Sequence, residues 1–179
     1  VRPVHSMSAD PYSALAAGYD FVMAHVDYDA WAAYLFDLLR RHEGDVETVV
    51  ELGGGTGSLA RRLQPLGEYR YVLTDGSASM LRRARKKVRA DGAPIRCEQA
   101  HFTTVTPESL DLRSPVDAVI LVYDGLNYLL ETEQVATLFE RVCELLRPGG
   151  MAIIDQSTPA NSETHHDQFV DEGTTDGFS

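Results

Sequence analysis

Residues 51–60 read ELGGGTGSLA, a stretch with four glycines among its first seven residues. Glycine has no Cβ, so a glycine-rich loop can turn sharply and lets a ligand lie directly against the backbone. The apolar residues Val49 and Val50 come just before it, and apolar residues recur after Ser58 at helical spacing. The stretch therefore predicts a ligand-binding turn between a strand and a helix, without naming the ligand.

Two ligand-binding patterns overlap in this turn. Residues 55–60 fit the G-x-G-x-x-G/A pattern of a dinucleotide site, and residues 51–57 fit the acidic-x-G-x-G-x-G pattern of an S-adenosylmethionine loop. The dinucleotide register leaves Gly53 and Gly54 as unexplained insertions after the strand, whereas the second register uses every glycine. Asp75 follows at the predicted end of the next strand and can bind both ribose hydroxyls, so it fits either ligand.

The composition is typical of one globular domain that acts on a small molecule. The chain has 179 residues, 44% of them hydrophobic and 24% charged, enough for one hydrophobic core. Its formal net charge of −11 argues against a nucleic-acid partner, because Lys and Arg supply most of that affinity. No apolar run approaches the ~18 to 20 residues of a membrane span. We therefore expect a small-molecule substrate and no membrane partner.

The cysteines and histidines predict a metal-free protein in a reducing compartment. Cys97 and Cys143 are far apart and lack the spacing of a zinc site, which favours the cytoplasm. The adjacent residues His165, His166 and Asp167 lie in a polar stretch without the fixed geometry of a metal site. We expect no bound metal.

Two helices are predicted before the first strand. Asp10-Pro11 opens one over residues 11–25, and Asp29 caps another that Gly44 stops. We expect residues 9–44 to form lid helices over the ligand site. Because residue 1 is Val, we expect residues 1–8 to be a non-native addition or a flexible N-terminus, with Met7 as the native start.

Strand and helix patterns alternate from residue 45 to residue 157. Strands are predicted at residues 47–52, 69–75, 94–100, 116–123 and 151–156. Helices are predicted at residues 58–63, ended by Pro65, at 77–90, and along the apolar stripe Val135, Leu138, Phe139, Val142, Leu145 and Leu146. This alternation predicts an α/β fold with a doubly wound, mostly parallel, Rossmann-like sheet. Residues 158–179 are polar, so we expect a loop or tail in an incomplete C-terminal part.

Four blocks, VVELGGGTGSLA, VLTDGSASML, VDAVILVYDGLNYLL and LLRPGGMAIID, occur in order within residues 49–155. Through them the chain resembles the class I S-adenosylmethionine-dependent methyltransferases, from about Tyr12 to Asp155. The stretches YSALAAGYDFVM and VDYDAWAAYL are similar to the start of a bacterial small-molecule subgroup. The resemblance implies a methyltransferase-type sheet, truncated here before its last two strands. It also implies methyl transfer to a small molecule by in-line displacement.

The resemblance also implies which residues hold the cofactor. Glu51 would steady the glycine loop and approach the methionyl amino group, and Asp75 would bind the ribose. The remaining contacts would come from the loop glycines Gly53, Gly55 and Gly57, from Met80 and Phe102 near the adenine, from Tyr123 near the methyl group, and from the lid residues Tyr12, Tyr19 and Trp31.

Two positions depart from the family pattern. Gly76 replaces the aliphatic residue that often follows the ribose carboxylate and covers the adenine. His101 stands where an Asp usually accepts a hydrogen bond from the adenine amino group. A neutral imidazole nitrogen can accept that bond and a protonated one cannot. Cofactor affinity should therefore weaken in acid.

A general base, if the acceptor needs one, is expected to be Asp124, with Tyr19 or His101 as the next candidates. Asp124 and Asp155 form a carboxylate pair at strand ends, and we treat metal-assisted transfer as a minor alternative. The basic residues Arg82, Arg83, Arg85, Lys86, Lys87 and Arg89 are expected to form a solvated helix face.

Two other function classes remain open at this stage: an NAD(P)-dependent oxidoreductase, and a methyltransferase-like module that binds the cofactor without turnover. The open edge beyond the fifth strand predicts aggregation or a homodimer. The acceptor, and whether its nucleophile is N, O or C, is not specified by these residues.

Overall fold

The computed structural model describes residues 15–158, which are organised around five parallel strands. The strands are β1 (Thr48–Glu51), β2 (Arg70–Asp75), β3 (Ile95–Gln99), β4 (Val116–Leu121) and β5 (Leu146–Ile154), in the order β3-β2-β1-β4-β5. The predicted doubly wound α/β sheet is thus confirmed. The strand order reverses between β1 and β4, and ligands bind parallel sheets at such a point, beyond the carboxyl ends of the strands.

Helices cover both faces of the sheet. They are α1 (Tyr19–Val22), α2 (Tyr28–Arg40), α3 (Ala60–Gly67), α4 (Ala78–Asp91) and α5 (Thr132–Leu145), with short 3₁₀ turns at Leu15–Ala17, Met23–His25 and Gly125–Tyr128. Helices α2, α3 and α4 pack on one face and α5 on the other. Alternate strand residues supply the two cores, as at Val49 and Val50, which lie in different clusters.

Helix α4 begins and ends as the sequence predicts. The Ser77 side chain accepts a hydrogen bond from the Met80 backbone N–H at 3.3 Å. Gly92 closes the helix in the left-handed conformation, with φ of 65°. This start places Ser77 and Met80 directly beside the end of β2, where Asp75 lies.

The N-terminal helices differ from their predicted form. The described part of residues 11–25 is broken into two 3₁₀ turns and the four-residue α1, none of whose residues is buried. Such a segment lacks the continuous apolar face that stabilises a longer helix. Helix α2 is capped by Asp27, which accepts from the Ala30 N–H at 2.9 Å. Asp29, the predicted cap, instead pairs with Arg62 at 2.8 Å.

Two boundaries predicted after residue 45 were wrong: the end of α3 and the start of β5. Pro65 does not end α3, which continues to Gly67, because a proline so near the helix end removes only one hydrogen bond. Strand β5 starts at Leu146: Val116 pairs with Leu146 and Ala118 with Met151, so residues 147–150 form a bulge within the strand.

The predicted apolar stripe of α5 is buried only in part. Leu138, Val142 and Leu145 are buried, whereas Phe139 is 46% exposed and Leu146 belongs to β5. None of the helices within residues 15–158 combines the length and apolar composition required to cross a membrane.

Candidate functional site

A cavity of about 480 Å³ lies beyond the carboxyl ends of β1, β2 and β4. Its size is within the range of small-molecule sites. Its lining includes most of the predicted site residues: Tyr19, Glu51, Gly53, Gly55, Asp75, Met80, His101, Phe102 and Tyr123. It also includes residues that we did not predict: Tyr28, Gly54, Thr56, Ser58, Leu59, Gly76, Ser77, Val122, Gly125 and Tyr128.

The glycine loop needs its glycines for two different reasons. Gly53, Gly55 and Gly57 have positive φ angles of 67°, 55° and 77°, which other residues rarely adopt. Gly54 is needed for packing, since a Cβ there would lie 2.7 Å from Leu73 Cγ. Gly57 is outside the cavity lining, and its missing side chain instead leaves room for Leu73 at 3.2 Å.

Asp75 connects the glycine loop to α4. Its Oδ2 accepts a hydrogen bond from the Gly55 backbone N–H at 2.8 Å, and its Oδ1 accepts from the Ser77 N–H at 2.7 Å. Each carboxylate oxygen has more than one acceptor site. The carboxylate can therefore hold the loop in shape and still accept ribose hydroxyls.

Glu51 ends β1 as a buried carboxyl group in the cavity wall, with only 2% of its surface exposed. Its Oε2 accepts a hydrogen bond from the Tyr71 hydroxyl at 3.0 Å. Burial raises the pKa of Glu51 to about 7, and the nearby Asp75 carboxylate also raises it. Glu51 can therefore exchange a proton near neutral pH.

His101 lies in the cavity wall, and Thr103 engages its Nδ1 nitrogen. The Thr103 backbone N–H donates to His101 Nδ1 at 3.3 Å. His101 Nδ1 also lies 2.8 Å from Thr103 Oγ1, a contact in which donor and acceptor depend on the tautomer of the ring. Thr103 thus engages Nδ1, and Nε2 is the ring nitrogen that we propose for a contact with adenine. The ring stacks on Phe102, with centroids 4.5 Å apart.

An aromatic wall closes the β4 side of the cavity. The Tyr123 ring lies 5.2 Å from Tyr28 and 5.1 Å from Trp31. Trp31 is outside the cavity lining and supports Tyr123 from behind. Tyr28 was not predicted, although it is three residues before Trp31 and so on the same side of α2. Burial raises the pKa of Tyr28 and of Tyr123 well above the usual range, so both phenols are neutral.

A polar cluster of Asp20, Thr56, Ser58 and Lys87 fastens α1 to the glycine loop; we call it the latch. Lys87 Nζ lies 2.6 Å from the Asp20 carboxylate and 3.0 Å from Thr56 Oγ1. Thr56 Oγ1 donates to Asp20 Oδ1 at 2.6 Å. Lys87 is therefore half-buried in an ion pair rather than part of a solvated helix face as predicted. The latch holds the neighbouring Tyr19 ring beside Gly55, 3.8 Å from where a Cβ would lie.

Asp124, the predicted base, is exposed and outside the cavity lining. Its Oδ1 accepts from the Ser157 hydroxyl at 2.6 Å. The Asp155 carboxylate accepts hydrogen bonds from the backbone N–H groups of Tyr123 and Asp124, at 2.9 and 3.0 Å. Both of those residues have a φ of 61°, a conformation that these hydrogen bonds stabilise. Asp124 and Asp155 thus shape the loop after β4.

Several predictions concern residues outside the described range 15–158: residues 1–8 with Met7 as the start, the helix opening at Asp10-Pro11, Tyr12 as a cofactor contact, residues 165–167 as an unsuitable metal site, and the polar loop or tail that runs to residue 179. Within that range, no group of three or more His, Cys, Asp or Glu side chains is arranged to hold a metal ion.

Comparison with known proteins identifies the family. Residues 49–150 match the family described as "Methyltransferase domain". A Geobacillus sp. (strain WCH70) protein named as a methyltransferase is 33% identical over 147 residues, 80% of this chain and 56% of its own length. The ubiquinone/menaquinone biosynthesis C-methyltransferase of Erwinia tasmaniensis is 29% identical over 153 residues, 83% of this chain and 58% of its own length.

A solved structure agrees on the fold. The S-adenosylmethionine-dependent methyltransferase from Clostridium acetobutylicum superposes with a TM-score of 0.68 at 24% identity, over 81% of this chain and 57% of its own. The chain thus spans little more than half the length of the proteins that it matches. The chain belongs to the methyltransferase-domain family.

Proposed function

We propose that this chain binds S-adenosylmethionine and transfers its methyl group to a small molecule by in-line displacement. The observation that carries the proposal is the arrangement of two carboxyl groups, Glu51 and Asp75, at the ends of adjacent strands. They lie on either side of a glycine loop that lines the cavity. This arrangement offers one anionic group for an ammonium and one for a ribose.

The cavity residues fit the cofactor chemically. Asp75 is a carboxylate acceptor for ribose hydroxyls, and the glycines of the loop leave the backbone open to a flat ligand. Met80 and Phe102 supply apolar surface for an adenine ring, with His101 Nε2 as a polar contact at its edge. Glu51 lies at the start of the glycine loop and is the group that we assign to the methionyl ammonium.

The chain's own contribution to the reaction is alignment and the exclusion of water. When bound, the cofactor supplies a methyl group on a positively charged sulfur. The neutral phenols Tyr28 and Tyr123 offer a dry aromatic surface, which suits a sulfonium better than a hydrated site does. The latch keeps Tyr19 beside the loop, so that the acceptor and the methyl group meet in a restricted space.

Asp124 and Tyr19 stay proposals for acid–base roles. Burial, then the neighbouring Tyr128, raises the pKa of Tyr19, so its hydroxyl is a hydrogen-bond donor at neutral pH rather than a base. Asp124 is an exposed carboxylate at the edge of the Tyr123 loop. We propose that it receives a proton from the acceptor only if an acceptor enters from that edge.

A small-molecule acceptor is favoured by the net charge of −11 and by similarity to a C-methyltransferase of ubiquinone and menaquinone biosynthesis. We propose action in the cytoplasm, since both cysteines of the chain are unpaired.

The binding test is a thermal-shift comparison of S-adenosylmethionine, S-adenosylhomocysteine, NAD and NADP. Stabilisation by the first two ligands alone is expected, and stabilisation by NAD or NADP would favour an oxidoreductase instead. A second assay follows transfer of labelled methyl groups to a panel of small N, O and C nucleophiles. Binding without transfer to any acceptor would favour a non-catalytic module.

We also propose that two copies associate through the free edge of β5. Among the described residues β5 pairs with β4 alone, so its other edge exposes unpaired backbone groups. Light scattering should detect a dimer that dissociates on dilution, and the substitution Ala152→Lys at an exposed edge position should weaken it. A strict monomer at every concentration would contradict this proposal.

A further inference from the structure

Glu51 is buried among groups that do not neutralise it. Its carboxyl group receives one hydrogen bond, from the Tyr71 hydroxyl at 3.0 Å. None of the salt bridges among residues 15–158 includes Glu51. The titratable groups that interact with it electrostatically are neutral or negative: Tyr71 and Asp75 on β2, Tyr28 on α2, Cys97 on β3 and Tyr123 after β4.

Such a carboxyl group is satisfied in two ways only: by keeping its proton, or by gaining a cation from a ligand. An ionised carboxylate is expensive to bury without a cationic partner. The cavity beside Glu51 is where the methionyl end of the proposed cofactor would lie, and that end carries an ammonium group. Tyr71 is itself 2% exposed and holds one fixed position on β2, so its hydroxyl is a built-in donor to the ionised form.

We propose that Glu51 gives up its proton to solvent when the methionyl ammonium binds, and that Tyr71 is the positioning residue that sets the pH of this exchange. This proposal rests on the proposed function, because it requires an S-adenosyl amino acid in the cavity. No covalent bond changes. One proton leaves Glu51 for bulk water, and the ammonium of the ligand becomes its counter-ion.

Calorimetric titration measures the exchange directly. S-adenosylhomocysteine is titrated in two buffers of different ionisation enthalpy, from about pH 6 to about pH 7.5, below the usual range in which an α-amino group loses its proton. The wild-type chain should release close to one proton per ligand at the acid end and fewer as the pH rises. Its affinity should fall about tenfold per pH unit below about pH 7.

A ligand without the amino-acid end is the matched control. 5′-Methylthioadenosine keeps the adenine, the ribose and a thioether, so it should bind without proton release. Its titration isolates any proton exchange that does not depend on the amino-acid end of the ligand. Proton release with both ligands would place the exchange at another group and overturn the proposal.

Two substitutions separate the roles of the carboxyl group and of the hydroxyl. Glu51→Gln should abolish proton release. Tyr71→Phe should shift the release curve upward by about one pH unit, because the ionised carboxylate loses its donor. Tyr69→Phe removes a buried hydroxyl from the same strand end without contact with Glu51 and should match the wild type.

The outcomes distinguish this inference from the proposed function. Binding of both ligands with no linked proton would overturn the inference alone, and absence of binding at every pH would overturn both. A proton-release curve for Tyr71→Phe identical to that of the wild type would show that Tyr71 does not set the pH of the exchange. If Tyr71→Phe does not fold, the wild-type and Glu51→Gln release curves still decide the proton exchange.

Discussion

The two halves of the cavity are built by different means. One half, formed by Glu51, the glycine loop and Asp75, is attached to the ends of β1 and β2, and its backbone shape is set by strand register and buried packing. The other half is the short α1 segment with Tyr19. It has no buried residue of its own and is held by the latch between Asp20 and Lys87.

Because of this difference, one half of the cavity is rigid, whereas the other half can admit a ligand. The half formed by Glu51, the glycine loop and Asp75, which we call the strand half, must keep two carboxyl groups at a fixed spacing. It therefore draws its stability from the core of the sheet. We propose that the half formed by α1, which we call the lid half, opens to let a ligand in, because a partly exposed ion pair with hydroxyl neighbours is a weak attachment. Substitutions in the strand half should therefore change affinity or stability, and those in the lid half should change rates.

The largest effect is expected from Asp75→Ala in the strand half. The affinity for S-adenosylhomocysteine should fall at least about 100-fold, because two hydrogen bonds to a charged acceptor contribute about 1.5 to 3 kcal/mol each. Calorimetric titration with S-adenosylhomocysteine measures this loss of affinity. Asp45→Ala, an exposed position outside the cavity, is the control, and equal affinities for the two variants would remove Asp75 from the site.

Glu51→Gln should stabilise the ligand-free protein while weakening the site. The pKa of Glu51 is about 7 in the folded protein against 4.5 in the unfolded chain, so the folded state holds its proton longer. Wild-type stability therefore falls as the pH rises from about 4.5 to about 7. Above that range the glutamine variant should be more stable by about 3 kcal/mol, with no difference below it.

Denaturant unfolding at several pH values measures this difference. Glu108→Gln, on an exposed loop, keeps Glu51, so its stability should follow the wild-type pH dependence. A constant difference between wild type and Glu51→Gln across the range would mean that Glu51 is ionised throughout.

Gly54→Ala should cost about 1 to 3 kcal/mol of stability, as overpacking does in a filled core. The new Cβ would lie 2.7 Å from Leu73 Cγ and 3.0 Å from Glu51 Cδ. Gly76→Ala is the matched control, since a Cβ there meets His101 at an ordinary 3.5 Å without positive φ. Similar unfolding midpoints for both variants would show that the loop adjusts at little cost.

The sequence predicted the strand half well because its signals are local. The glycine pattern, the acidic residue before it and Asp75 at a strand end each follow from spacing along one segment. The contacts of the lid half join residues that are distant in sequence. Asp20 pairs with Lys87, 67 residues later, and no periodicity in the sequence predicts that ion pair. A lysine in a basic run resembles a solvated one until the fold brings a carboxylate to it.

The smallest effect is expected in the lid half, from Lys87→Met. Methionine keeps an apolar stem and removes the charge, so α1 loses its ion pair with Lys87, and the hydroxyls of Thr56 and Ser58 lose their contacts with Lys87. The loss of one partly buried pair corresponds to about 1 kcal/mol, or roughly a fivefold faster release of S-adenosylhomocysteine in stopped-flow experiments. The unfolding midpoint should barely change, because the core is untouched. Lys86→Met, at the exposed neighbouring position, should leave the release rate as it is. A slower association with an unchanged release rate in Lys87→Met would instead mean that the latch organises the loop and does not retain the ligand.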